Sequence, residues 1–239
     1  MPASVRPPTP RPIQVDGHWV EVRINPRARR VSLKLDPADR RAVLPLPTPR
    51  ARAQGERFVR DRAGWLATQI ARLPPAMPFV DGGPILFRGQ SFHLVRRAGR
   101  GVPQIAGDPA RLVIASTPEA FKTRTLAGLK ALAGAAFADA VRRHEAALSL
   151  SPSALSIRDG KSRWGSCSSS GRIALSWRLV CAPVAVLDYV CAHEVAHRIE
   201  ANHSPAFHAI TAQLVENPLA ARAWLRAHAG ELFAVGAEV

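Results

Sequence analysis

Asp188-Tyr189-Val190-Cys191-Ala192-His193-Glu194-Val195-Ala196-His197-Arg198-Ile199-Glu200-Ala201-Asn202-His203: in this stretch two histidines stand four residues apart, with a glutamate beside the first. That spacing is about one helical turn, so His193 and His197 share a helix face and can reach one metal ion. Val184, Leu187, Tyr189, Val190 and Ile199 give the segment the apolar content of a largely buried helix, opened by Pro183 and running to about Ala201. Burying two imidazoles and a carboxylate without partners is costly, and a divalent ion removes that cost. Catalytic zinc takes three protein ligands and keeps one position for water. His203 is the expected third ligand, because Asn202 can end the helix in a left-handed turn that brings the chain back. In this reading His193, His197 and His203 hold Zn2+, and Glu194 is the general base that takes a proton from the metal-activated water. Zinc is preferred over manganese or iron because an imidazole triad suits it.

Nearby residues have plainer readings. His208 reads as a partly exposed helix residue and not as a fourth ligand, and Trp164 and Trp177 read as core aromatics. Ser166 and Cys167 are not needed as nucleophiles when a metal site supplies one. A transition-state oxyanion wants a further donor, for which His208, Arg163 and Arg178 are candidates. Tyr189, one turn before His193, reads as packing. The spacing 193/197/203 also matches H-E-x-x-H-x-x-G-x-x-H proteases, but Glu200 stands where they have a turn glycine.

Working outward, Ser156 to Arg158 and Arg172 to Leu179 read as strands around a polar Gly160 to Gly171 segment. Ile173 to Trp177 is either plain sheet or an edge that could hold an extended peptide by strand addition. Thr117-Pro118-Glu119 starts a long packing helix with Leu126, Leu129, Ala133, Phe137, Val141 and Leu148 as its stripe, although Gly128 and Gly134 weaken it. Residues 205–215 and 219–228 read as helix broken at Asn217-Pro218. Earlier, 20–24 and 31–35 read as a hairpin or meander, 85–87 and 92–95 as a second hairpin, and 112–115 as a strand. One amphipathic helix fits between Thr48-Pro49 and Pro74, and residues 1–12, with five prolines, have nothing to bury. The sequence reads as free of internal repeats.

Composition sets the limits. Hydrophobic residues make up 47% and charged residues 21%, which is ordinary globular usage. No run approaches the roughly 18 apolar residues of a membrane span, and the N-terminus lacks a secretory apolar core, so a cytoplasmic protein is expected. Cys167, Cys181 and Cys191 form no C-x-x-C pair, so reduced thiols are expected. The formal charge is +15, and residues 1–149 carry 25 Lys/Arg against 11 Asp/Glu, which is +14 of it. That excess is what contact with a nucleic acid or nucleotide would use, although only four of the 33 basic residues are lysines. The arginines at 27, 29 and 30 read most simply as a solvated turn.

The segments Lys161-Ser162-Arg163-Trp164-Gly165-Ser166-Cys167, Ile173-Ala174-Leu175-Ser176-Trp177-Arg178-Leu179, Ala182-Pro183, Asp188-Tyr189-Val190, His193 to His197 and Asn202-His203-Ser204 agree in order and spacing with one family. Together they strongly resemble the YgjP-like metallopeptidases, which are related to SprT-type zincins. The upstream part, with the Trp65 helix and Phe87-Arg88-Gly89-Gln90, looks like the family's N-terminal region. The departures are His208, where a tryptophan usually follows Phe207, and Arg198, in place of an aliphatic residue. The resemblance implies a peptidase fold with ligands at His193, His197 and His203 and a base at Glu194.

The expected fold is therefore α+β and zincin-like, with a small antiparallel sheet packed on the active-site helix and a β-rich N-terminal region before it. The expected organisation is a Pro-rich tail over 1–14, a β-rich region with one helix over 15–115 and a catalytic region over 116–239, with 15–239 forming one YgjP-like domain. The expected activity is zinc-dependent peptide-bond hydrolysis, with a peptide or protein as substrate. The alternatives are a metal-dependent phosphoanhydride or nucleotide hydrolase and a DNA-associated module with structural zinc.

Overall fold

The structure, a computed structural model, describes residues 10–37, 39–107, 110–160 and 163–238. Residues 1–9 of the expected tail, and Lys161 and Ser162 of the family motif, lie outside them. The chain divides into two compact units between Pro74 and Pro75.

In the first unit β1 (Ile13–Val15), β2 (His18–Ile24), β3 (Lys34–Asp36) and β4 (Arg41–Leu46) form one sheet in the order β1-β2-β4-β3. Asp16 and Gly17 join β1 to β2 with φ of +45° and +81°, the positive pair that a tight type I′ hairpin demands. The expected tail thus ends early, because Ile13 is already buried in β1. The expected hairpin between 20–24 and 31–35 does not form either. β4 lies beside β2 in parallel, from Val20↔Ala42 to Ile24↔Leu46, and β3 pairs with β4 on its far side. The reason is burial: β4 alternates, burying Ala42, Leu44 and Leu46, whereas β3 buries none of its side chains. α1 (Arg52–Arg60) and α2 (Ala63–Ala71), separated at Asp61-Arg62, replace the single expected helix. Their Val59, Ala63 and Leu66 complete a small core with Ile13, Val20, Val22 and Leu44.

The second unit begins with the same sheet again. β5 (Pro84–Phe87), β6 (Gln90–Arg97), β7 (Gln104–Ala106) and β8 (Arg111–Ala115) run β5-β6-β8-β7, with antiparallel, parallel and antiparallel pairs as before. Arg88 and Gly89 form the two-residue turn with φ of +51° and +77°, and Thr117-Pro118 follows this sheet as Thr48-Pro49 follows the first. A repeat is therefore present in topology although the sequence reads as having none. The repeated positions preserve alternation and turn conformation rather than residue identity.

α3 (Phe121–Ala147) is continuous over 27 residues. Its two glycines mark close packing rather than breaks: a Cβ at Gly134 would lie 2.8 Å from Ile157 Cδ1, and one at Gly128 would lie 2.5 Å from Pro103 Cγ. β9 (Leu155–Arg158), β10 (Gly165–Cys167) and β11 (Ile173–Ser176) form a third sheet in the order β10-β11-β9. The sheet is mixed and not antiparallel as expected, since β9 runs parallel to β11. Trp177–Cys181 is a 3-10 turn where the strand was expected to continue.

α4 (Val184–Ala196), α5 (Pro205–Leu214) and α6 (Pro218–Ala234) complete the chain. α4 buries side chains around most of its circumference and packs on α3, α5, α6 and β10, as an all-round apolar helix must. Its core continues through Leu129, Phe137, Leu175 and Trp177 to Leu94 and Leu112 of the second sheet. The expected boundary at 115/116 falls inside this unit, between β8 and the α3 helix that packs on it. The α+β class holds. Among the described residues no helix is long and apolar enough to cross a membrane, and the three cysteines are free thiols.

Candidate metal centre

Polar tethers inside the second unit hold α4 in place. At its start, Arg88 N and Gly89 N donate to the carbonyls of Val180 and Cys181, each at 2.9 Å. A Cβ at Gly89 would lie 2.7 Å from Pro183 Cγ, so the β5–β6 turn sits directly against the first residues of the helix. Midway, Asp188 Oδ1 accepts from Arg143 Nη2 at 2.8 Å and bonds the buried His144 Nε2 at 2.9 Å, joining α4 to α3. Burial alone would raise the Asp188 carboxyl, but the bonds to His144 and Arg143 bring it below its ordinary range. At the end, Arg198 Nη1 donates to Glu145 Oε1 and to Ser151 O, each at 2.7 Å, and Glu145 is only 3% exposed. Arg198 thus ties the residue after His197 to the end of α3.

α4 ends at Ala196, earlier than expected, and His197 is its C-cap with φ −63° and ψ −13°. Asn202 is not among the non-glycine residues with positive φ, so the chain returns without the expected left-handed turn. A non-helical stretch carries it back instead. Ser204 then caps α5, its Oγ accepting from Phe207 N at 3.2 Å.

This return brings the three predicted histidines together. Their nearest ring nitrogens all lie within 4.8 Å of one another, and Nε2 of His203 is 3.1 Å from Nε2 of His193. His197 Nδ1 lies 3.1 Å from Glu200 O, which can only accept, so this ring nitrogen is the donor and Nε2 is the atom left for a metal. The fully buried Phe207 ring backs all three, with centroids 4.8, 4.5 and 4.8 Å from those of His193, His197 and His203. Burial, then the neighbouring His197 and His203, push His193 down to about 4, and burial followed by His197 lowers His203. Neutral imidazoles are the form that ligates. Three converging imidazole nitrogens on an apolar backing are a donor set that one divalent ion fits.

Glu194 lines the same cavity as His193, His197 and His203, with its side chain packed against β10. It is 5% exposed, and burial pushes its carboxyl up to about 7 while Arg163 pulls it down. Gly165 makes this possible, because a Cβ there would lie 2.7 Å from Glu194 Cγ and 2.8 Å from Cδ. Two cavities, of about 470 and 480 Å3, are both lined by Gly165, His193 and Glu194. The first continues past Trp164, Tyr189 and α6, and the second past Arg163, Cys167 and Ser168.

The remaining sequence candidates separate. Arg178 is buried away from the site, donating to Leu232 O, Phe233 O and Val235 O and pairing with Asp159, so it is no oxyanion donor. Arg163 lines the second cavity, whereas His208 lines a different pocket with Phe207 and Thr211. Trp177 is buried as expected, but Trp164 is half-buried, stacked on Phe233 at 5.0 Å and exposed to the first cavity. β11, the strand considered as a peptide-holding edge, is central and paired on both sides; the edge strands are β10 and β9, and β10 is the one that borders the cavities. Sequence reading missed β10 and the α6 arginines Arg222 and Arg226 that line the first cavity. Nothing in a polar loop announces which strand it will pair with, and the only signal for the arginines is their spacing of four.

Comparison with known proteins bears on the same region. No curated protein and no solved structure matches the chain. A family model described as the YgjP-like metallopeptidase domain matches residues 29–228, which leave out β1 and β2 but include every element from β3 to α5 and most of α6. With the match extending over most of its length, the chain belongs to the YgjP-like metallopeptidase domain family.

Proposed function

We propose that the chain is a zinc-dependent peptidase of zincin-like fold, with His193, His197 and His203 as ligands and Glu194 as general base. The observation that carries this is the convergence of His193, at the end of α4, its C-cap His197 and the returning His203 beside the buried Glu194. Zinc held there supplies a Lewis acid, which acidifies water in the site and polarises a carbonyl. The chain's own groups do the rest. Glu194 takes a proton from the attacking water and returns it to the leaving amine, a task suited to a carboxyl raised toward neutrality. Glu200 O fixes the His197 tautomer, and Phe207 keeps the back of the cluster dry. An extended peptide can add to the free edge of β10, its backbone running past Gly165 between the two cavities. Nothing in the fold or the family match favours nucleotide hydrolysis or nucleic-acid binding.

Metal content by mass spectrometry, paired with a peptide-hydrolysis screen, tests this reading. Wild type should carry about one zinc per chain, His203→Ala should lose both metal and activity, and Glu194→Gln should keep the metal while losing about two to four orders of magnitude in kcat. Wild type that takes up no metal in zinc-replete buffer would overturn it.

A further inference from the structure

The first cavity is chemically lopsided. α6 turns one face toward it, with Arg222, Leu225, Arg226 and Ala229 at the three- and four-residue spacings of a single helix face. Opposite stand Trp164, whose ring is steadied by Phe233, and the buried Tyr189. Among the described residues neither Arg222 nor Arg226 makes an ion pair or a side-chain hydrogen bond, and Glu194 is the one acid in the lining. Most cationic side chains that frame α4 are already committed: Arg143 to Asp188, Arg198 to Glu145, Arg178 to Asp159. Two uncommitted guanidiniums over an aromatic and aliphatic floor, next to the proposed base, form a half-site. What it lacks is an anion carried on an apolar stem.

Resting on the peptidase reading above, we infer that the cavity lined by Arg222, Arg226, Trp164 and Tyr189 is a specificity subsite for a substrate carboxylate. A planar guanidinium binds a carboxylate through two parallel N–H donors, and the spacing of Arg222 and Arg226 offers two such forks. The methylenes of an acidic residue would lie on Leu225 and the Trp164 ring. The volume of about 470 Å3 takes one or two residues. The carboxylate can come from an acidic side chain or from the free C-terminus of a peptide, and both sources present the same group.

The test compares kcat/KM for matched peptides on the full-length zinc-loaded protein. One series exchanges Glu for Gln at each position flanking the cleaved bond, and the other exchanges a free C-terminus for an amide. A preference of about tenfold for the carboxylate in one series is expected, carried mainly by KM, and the series that shows it names the source. Arg222→Gln with Arg226→Gln should bring the ratio near one, Arg222→Lys should restore part of it, and the surface change Arg142→Gln should leave it intact. A fold defect would lower both members of a pair alike and leave their ratio. Ratios near one in wild type, or a ratio unmoved by the double variant, overturn the subsite while the peptidase reading stands. If wild type cleaves no peptide, calorimetric binding of the same pairs to Glu194→Gln decides: equal affinity for acid and amide overturns the subsite, and a preference lost on removing both arginines upholds it.

Discussion

The sheet of β1 to β4 and the sheet of β5 to β8 share one strand order and one kind of hairpin turn, yet they are covered differently. The first lies under α1 and α2, and its core closes within the unit. The second is covered by α3, which continues past the sheet to meet α4, and its apolar side chains belong to the core that surrounds the three-histidine helix. The turns differ in the same way. Gly17 has open space around it, whereas Gly89 touches Pro183 at the start of α4. The same β motif is thus self-contained in one place and a support for the candidate site in the other, and the difference lies in the helices packed on it.

Glycine-to-alanine changes test that division most sharply where a glycine faces the site. Gly165→Ala should push Glu194 out of place and lower kcat/KM by about a hundredfold, with zinc content unchanged. Gly64→Ala in α2, where an added Cβ meets nothing, should leave activity alone and stabilise the fold by about 0.5–1 kcal/mol. Equal activity losses in the two variants would remove the distinction between the units.

Among the described residues, Arg198→Leu leaves the buried Glu145 carboxylate with the Ser153 N–H alone to answer it. Loss of the partner should cost about 3 kcal/mol, the low end for buried pairs because Arg198 keeps a 13% exposed side chain. A melting curve should fall by about 10 °C, and Glu145→Leu in addition should recover part of that. An unchanged melting temperature would show that α4 does not depend on this tie.

The smallest effect compares the two hairpins directly. Gly17→Ala carries only the left-handed strain of about 1–2 kcal/mol. Gly89→Ala carries the same strain and also a clash with Pro183, so denaturant unfolding should show it costlier by about 1–2 kcal/mol, with reduced peptide hydrolysis in that variant alone. Identical costs would mean that the second turn does not brace α4.

Much of this was legible in the chain because the signals are local. Helical spacing placed His193 and His197 on one face, and the alternation of 85–87 and 92–95 around Arg88-Gly89 gave the second hairpin its true pairing. Asp16-Gly17 carries an equally local hairpin signal, although the longer alternating runs after it suggest a competing pairing. Alternation tells which face of a strand is buried but not which strand lies beside it, so the 20–24 and 31–35 runs paired wrongly on paper.

The sequence by itself determined the residue types, the helix that carries them and the ligand spacing, since each depends on contacts within a few residues. Only the tertiary structure decided that His203 returns to His193, that Gly165 makes room for Glu194, that β10 is an edge strand and β11 is not, and that Arg222 and Arg226 face the cavity while Arg178 is consumed by carbonyls. Those outcomes depend on the packing of segments 10 to 60 residues apart, where the free energy of burial and hydrogen bonding chooses among pairings that local pattern leaves equal.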